Sequence, residues 1–419
     1  MEISHHRVVV TGIGIICPLG LDRDSTWANL IAGKSGIDNI TLFDAKALNT
    51  KTRFAGEVKG FEPTNYIDRK NARRMDRFSQ FAVVTAKEAL SQANLVIDGD
   101  ISHKIGIFIG SGIGGLTTLY DQTKILIEKG ADRVSPFLVP MMISDMAAAQ
   151  ISIMLGIKGP NLCITTACSS GSDAIGAAYE FIKRGNAPVM LAGGSEAIIN
   201  PIGISAFNAL NALSTRNDDP KTASRPFDAT RDGFVIGEGS CVMVLEDLDH
   251  ARQRNARILG EIIGYGASGD AFHITEPAGD GDGAVRAMQT ALTNAGVNTT
   301  DIQYINAHGT STPLNDKVET AAIKRVFGEQ AYKIPISSTK SMTGHMIGAG
   351  AAVEAAVCIM TMCHSVIPPT INYKNPDPNC DLDYVPNIAR QTAVNMAMSN
   401  SFGFGGHNSV LVFRKYTEA

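Results

Sequence analysis

The stretch NLCITTACSSGSDAIGAAYEFIKRG, Asn161 to Gly185, runs from an apolar, β-branched segment through one cysteine and a Ser-Ser-Gly turn into an apolar-periodic segment. That is the pattern of a strand, a tight turn and a helix, with Cys168 on the turn. A helix start gathers unpaired backbone N–H groups and the positive end of the helix dipole, and both lower a thiol's pKa from roughly 8.5. The position therefore predicts a cysteine that readily becomes a thiolate. Taken alone, Cys168 also fits a small buried residue filling a tight turn.

Outward from this unit, strand-like and helix-like runs alternate along the whole chain. RVVVTGIGIIC, KIGIFIGSG, NLCITTA, PVMLAGGSEA and CVMVLED read as strands; residues 71–93, 115–129, 145–155 and 170–184 carry helical periodicity. After about Arg257 the scheme restarts, with ILGEIIGYGASGD, IQYINAHGT and HNSVLVFRK as strands and residues 282–295, 315–327 and 349–363 as helices. The reading is one α/β plan executed twice, with halves at 1–256 and 257–419. Near-continuous apolar strands and Ala/Gly-rich helices imply sheets covered on both faces. The segment GAAVEAAVCIMTMC, residues 350–363, is apolar almost all round and so predicts a buried helix. Glu354 inside it then needs a cation, hydrogen-bond donors or a proton.

Composition narrows the class. A chain of 419 residues with 44% hydrophobic and 19% charged residues reads as a well-packed globule of more than one domain-sized unit. A net charge of −4 and 6% aromatic residues argue against general nucleic-acid binding. Seven scattered cysteines without a CxxC pair give no metal-ligand spacing and read as reduced thiols of a cytoplasmic protein. No signal peptide and no membrane span are expected. GIGIICPLG lacks the G-x-G-x-x-G spacing of a dinucleotide site.

Three further stretches end apolar strands in polar residues beside glycines: NAHGTSTPLND (306–316), SSTKSMTGHMIGAGAAVE (337–354) and NSFGFGGHN (400–408). They supply His308, Lys340, His345 and Phe404, each of which, alone, is as readily a satisfied core or loop residue. Together with Cys168 they form a set with a chemistry. A thiolate can accept an acyl group, and backbone N–H groups of Cys168 and Phe404 can hold the oxyanion. Two histidines with a lysine suit a second carbonyl that must become an enolate, whereas a cysteine hydrolase needs one histidine and an orienting Asn or Asp.

TTACSSG, RPFDATRDGFVIGEG, NAHGTSTPLND, KSMTGHMIGAG and NSFGFGGHN, in that order, closely resemble the β-ketoacyl-[acyl carrier protein] synthases of the elongating, type II kind, from VVVTGIGIICPLG onward. The resemblance implies a thiolase-like fold, five-layered α-β-α-β-α and built from two similar halves, in a homodimer. It implies decarboxylative condensation of malonyl-carrier protein with a Cys-bound fatty acyl chain, extended by two carbons. By it, Cys168 is the acyl acceptor, His308 and His345 bind the malonyl thioester carbonyl, Lys340 is electrostatic support and Glu354 its structural partner. Phe404 resembles the gating residue, Thr310 and Thr312 the hydroxyls that hold the pantetheine arm, and His273 and Thr275 lie in a loop near its entrance. Ile113 resembles a residue at the floor of the acyl pocket; core packing is the alternative. No organic cofactor and no catalytic metal are implied, since phosphopantetheine arrives on the carrier protein. A polyketide ketosynthase subunit, a non-catalytic chain-length-factor-like partner and a thiolase are the alternatives.

One feature is independent of that resemblance. In IDRKNARRMDRFSQ, Lys70, Arg73, Arg74 and Arg77 recur at i, i+3, i+4 and i+7, which on a continuous helix is one face. Such a stripe is either plain solvated surface or a dock for an acidic partner such as an acyl carrier protein, loaded with an acyl or malonyl group.

Overall fold

The computed structural model describes residues 6–418. Ten strands form one sheet: β1 Val8–Ile16, β2 Ile105–Gly110, β3 Asn161–Ile164, β4 Val189–Glu196, β5 Gly239–Asp247, β6 Gly260–Gly269, β7 Tyr304–Asn306, β8 Ile336–Ser337, β9 Met396–Gly403 and β10 His407–Arg414. Their spatial order is β3-β2-β4-β5-β1-β6-β10-β9-β7-β8. The first five and the last five strands, each counted in chain order, thus share the order 3-2-4-5-1. The senses match as well: β2 lies parallel to β3 and β4, while β5 is antiparallel to β4 and β1. In the second set, β7 lies parallel to β8 and β9, and β10 is antiparallel to β9 and β6. The two sets meet where Val8–Val10 pair antiparallel with Gly260–Ile262.

Strand alternation sends each set's side chains into two cores. Met190 and Ala192 of β4 and Met243 and Leu245 of β5 face a central core, whereas Leu191, Val242 and Val244 face an outer one. The central core is filled by two helices, Ser170–Lys183 and Gly350–His364, between the strand sets. Numbered in chain order, the helices that matter are α1 Arg77–Ala93, α2 Ser170–Lys183, α3 Asp282–Ala295, α4 Pro313–Phe327 and α5 Gly350–His364. Helix α1 covers the outer face of β1 and β5, and α3 that of β6 and β10, with α4 against α3. The result is five layers in the order α-β-α-β-α.

The glycines of the first strand serve this packing. A Cβ at Gly12 or Gly14 would lie 2.1 or 2.0 Å from the carbonyl oxygens of Ala89 and Thr85 on α1. In the second half, Gly264 and Gly266 stand equally close to α3, 2.4 and 2.2 Å from Ala291 and Ala287 oxygens. The GIG run is therefore a helix–sheet contact, repeated in both halves, rather than a phosphate cradle.

The segment 71–93 departs from the single helix expected. It divides into Arg69–Ala72 and α1, because the Asp76 carboxylate caps the second helix by accepting the Phe78 N–H at 3.3 Å. Residues 347–364 reach the length and apolarity of a membrane span once the 3₁₀ turn before α5 is counted, more than the sequence led us to expect. However, 89% of that stretch is buried inside the protein, as core helices are.

Candidate active site

A cavity of about 400 Å³ opens where the C-terminal ends of the strands of both halves converge, and Cys168, His308, His345 and Phe404 line it. The polypeptide turns sharply at Cys168. Ala167 adopts φ +52°, and residues 167–169 form a 3₁₀ turn that leads into α2. Hydroxyls rather than glycines stabilise this turn: Ser170 Oγ accepts from Thr166 N at 2.9 Å and donates to the Ala167 carbonyl at 2.6 Å. Asp173, one turn into α2, accepts from Thr166 Oγ1, Ser169 Oγ and Tyr265 OH.

The thiol is not the thiolate that its helix-start position predicts. Burial pushes the Cys168 pKa up to about 11, and the Phe404 backbone N–H bonded to the sulfur and the Lys340 charge offset only part of that. The Phe404 and Cys168 backbones meet closely beside the sulfur. A Cβ on Gly403 would sit 3.0 Å from Cys168 N and 2.8 Å from Thr166 O, so only glycine lets these two backbones meet.

His308 follows β7, and its backbone is fixed by the Glu319 carboxylate, which accepts the N–H groups of His308 and Gly309 at 2.8 Å each. His345 is held through its own N–H to the Val235 carbonyl at 2.7 Å. The two rings stand 5.4 Å apart at 87°. His308 Nδ1 and both ring nitrogens of His345 are buried with no hydrogen-bond partner. Burial first, then the Lys340 charge, holds both imidazoles well below the usual histidine range. They are neutral, so each carries one N–H and can donate it to a carbonyl oxygen.

Lys340 and Glu354, each with a side chain 2% exposed, form a buried ion pair. This answers the demand that a carboxylate inside α5 creates. Burial raises the Glu354 carboxyl to about 7 against the pull of Lys340, and its second oxygen has no partner. Nearby, Asn306 Oδ1 and Ser399 Oγ are also buried without partners, and these two residues pair across β7 and β9. Oxygens of this kind suit a water or a hard cation. Among the described residues, no three His, Cys, Asp or Glu side chains gather as metal ligands.

Thr310 and Thr312 line the cavity with their hydroxyls 3.0 Å apart, and Ile113 and Thr275 line it as well. His273 does not: it is exposed, and its Nδ1 accepts the N–H groups of Thr275 and Glu276 at 3.2 Å, so it shapes the loop from outside. The basic stripe is also incomplete. Lys70, Arg73 and Arg74 border a surface depression with Arg69 and Phe137, and Arg74 lies over the Phe137 ring at 4.7 Å. Arg77, past the break before α1, turns inward instead. It pairs with Glu238 at 2.7 Å, donates to the Val58 carbonyl and packs over Phe81.

Sequence reasoning missed Glu196 and Glu319, the carboxylates beneath the site's loops, and an aromatic series along the cavity. Phe404 leans on Phe207, Phe207 meets Phe234 edge-on, and Phe234 meets His345 edge-on at 5.3 Å. Glu196 falls in an apolar run with no charged residue near in sequence, which was the one available signal, whereas Glu319 sits among the charges of NDKVETAAIKR and reads as an ordinary helix-surface residue.

Comparison with known proteins agrees with this geometry. Residues 5–251 match the family described as beta-ketoacyl synthase, N-terminal domain, and residues 259–374 match beta-ketoacyl synthase, C-terminal domain. The 3-oxoacyl-[acyl-carrier-protein] synthase 2 of Synechocystis sp. is 52% identical over 415 residues, 99% of either chain. The protein of the same name from Staphylococcus aureus strain N315 is 51% identical over 413 residues, again 99% of either chain. Among solved structures, a beta-ketoacyl synthase from Burkholderia phymatum superposes with a TM-score of 0.92 at 38% identity, covering 98% of this chain and 100% of that one. A type II polyketide ketosynthase in complex with its acyl-carrier protein superposes at 0.91 with 36% identity, covering 98% and 100%. The chain belongs to the β-ketoacyl synthase family and has its thiolase-like fold.

Proposed function

We propose that the protein is a 3-oxoacyl-[acyl carrier protein] synthase that lengthens a fatty acyl chain by two carbons. The observation that carries this reading is the pair of neutral, unpartnered imidazoles sharing one cavity with Cys168. In the first step the Cys168 sulfur attacks the thioester of an acyl carrier; the C–S bond to the carrier breaks, and the proton lost by Cys168 ends on the carrier's thiol. The carrier leaves and malonyl-carrier protein enters, its pantetheine arm held by Thr310 and Thr312. His308 and His345 donate N–H bonds to the malonyl thioester oxygen, so that loss of CO₂ leaves an enolate in place. The enolate carbon attacks the Cys168 thioester carbonyl, the oxyanion is held by the Cys168 and Phe404 N–H groups, and collapse expels the cysteine sulfur, which takes a proton from water. The imidazoles serve as donors throughout, and burial together with the Lys340 charge keeps them from taking up a proton.

The phosphopantetheine arrives on its carrier, so the chemistry needs no bound cofactor. The depression bordered by Lys70, Arg73, Arg74 and Phe137 is the dock for an acidic carrier. The two halves, 1–256 and 257–419, divide the work, the first carrying the cysteine and the second the histidines. A cytoplasmic homodimer completes the reading: β3 is an edge strand with Leu162 53% exposed, and the helix packed on it exposes Ile153, a surface that a second copy would cover. The fatty acid reading is preferred over a polyketide one because full-length relatives named 3-oxoacyl-[acyl-carrier-protein] synthase 2 reach 52% identity, against 36% for the polyketide ketosynthase.

The test is a pair of variants. Cys168→Ala is expected to lose the acyl adduct and condensation together. His308→Ala is expected to keep the adduct and lose condensation. Full condensation by Cys168→Ala would refute the assignment.

A further inference from the structure

Glu196, at the end of β4, is fully buried, and its partners are backbone amides and one hydroxyl. Its Oε2 accepts the N–H groups of Gly112 at 2.7 Å and Gly348 at 3.1 Å. Its Oε1 accepts those of Ile113 at 3.3 Å and Gly114 at 3.2 Å, and the Ser111 hydroxyl at 3.1 Å. One carboxylate thus ties together two turns that are 234 residues apart along the chain (Gly348 against Gly114). The two turns are in direct contact around it. A Cβ at Gly348 would lie 2.5 Å from Gly112 N, and a Cβ at Gly112 would lie 2.8 Å from the Ile347 side chain.

The equivalent loop of the second half also hangs on a buried carboxylate, there supplied by α4 rather than by a strand end. Counted from the end of the second strand of each half, Gly110 and Asn306, Gly112 corresponds to His308, two residues beyond the strand. In the second half, that loop hangs by its amides on the buried Glu319 carboxylate and presents His308 to the cavity. In the first half, the loop hangs on Glu196 and presents Ile113, with Ile347 beside it.

We propose that Glu196 is a positioning residue that clamps the Gly112–Gly114 turn to the Gly348 turn. By doing so, it fixes Ile113 and Ile347 as the apolar wall that selects the length of the chain carried on Cys168. The inference rests on Cys168 being the acyl acceptor. Its physical basis is that a carboxylate is acceptor-only on both oxygens. Glutamine has the same shape, but in either orientation its NH₂ group faces at least two of these backbone N–H donors, and the clamp opens. Short chains that end near the cysteine are indifferent to that wall, whereas longer chains lie against it.

The test compares wild type, Glu196→Gln and Ser111→Ala, the last removing one donor to Glu196 and one acceptor of the Gly114 N–H, in acylation by hexanoyl- and hexadecanoyl-carrier protein followed by intact mass. Thermal melts accompany each variant. Glu196→Gln is expected to keep hexanoyl transfer within about threefold and to lose hexadecanoyl transfer by about tenfold or more, through KM rather than kcat. Ser111→Ala is expected to shift the same ratio by about threefold, and decides the matter alone if Glu196→Gln does not fold. An unchanged ratio, whether both chains fall equally or neither falls, overturns the proposal. Absence of any adduct on the wild-type protein overturns the acceptor reading instead, so the two failures are distinguishable.

Discussion

Lys340→Met is the perturbation whose cost follows most directly from the structure. It leaves the Glu354 carboxylate buried with neither oxygen partnered, since Oε2 already lacks a donor. Removing one member of a buried pair costs about 3–5 kcal/mol. With an unfolding entropy of roughly 2.1 cal/mol/K per residue, 419 residues give about 0.9 kcal/mol/K, so the melting midpoint falls by about 3–6 °C. The loss depends on pH in a fixed direction. Burial has already raised the Glu354 carboxyl from 4.5 to about 7 with Lys340 in place. A raised carboxyl means that the folded state keeps a proton the unfolded chain releases, so its contribution to stability declines as pH rises from 4.5 through 7. Without the cation, that decline extends to higher pH, and the deficit of Lys340→Met therefore grows between about pH 6 and pH 8.5. The double variant Lys340→Met/Glu354→Gln is expected to recover most of the loss at the upper pH, since it buries no charge. Differential scanning calorimetry at three pH values checks both points. A deficit that does not vary with pH, or a double variant as unstable as the single one, would refute the reasoning.

Because burial holds His308 and His345 neutral, condensation should show no loss from imidazole protonation between about pH 8 and pH 6, while stability declines below about pH 6.5 as the unfolded chain takes up protons that the folded one refuses; pH-rate and pH-melt profiles test this. Gly403→Ala should lower Cys168 acylation by about tenfold or more with little change in the melt, because the added Cβ separates the Cys168 and Phe404 amides; unchanged acylation would count against the shared oxyanion site. Arg73→Glu/Arg74→Glu should weaken carrier binding and flatten its salt dependence, measured by titration at two ionic strengths, whereas equal binding would return this patch to plain surface.

The strand, turn and helix around Cys168, the twofold α/β plan and the buried α5 were all legible, because each is written locally as periodicity and turn chemistry. The polar strand ends that carry His308, Lys340, His345 and Phe404 were legible for the same reason, and the cavity brings three of them together with Cys168 while Lys340 lies buried behind. What escaped is set by distant contacts. The direction of the Cys168 shift depends on how deeply the turn is buried, which a helix-start argument does not contain. Arg77 continues a perfect i+7 spacing, yet Asp76 ends that spacing by capping a new helix. Glu196 reads as one charge in GGSEA, and its meaning lies in backbone amides from two other loops.

The central claim is that Cys168 carries an acyl chain which a malonyl-derived enolate then attacks. Intact-protein mass after incubation with myristoyl-carrier protein, followed by a malonyl-carrier chase, tests it most directly. The account predicts one acyl adduct, absent from Cys168→Ala, that disappears as a 3-oxoacyl carrier two carbons longer forms. An adduct on Cys168→Ala, or no adduct on the wild-type protein with any fatty acyl carrier, would contradict it.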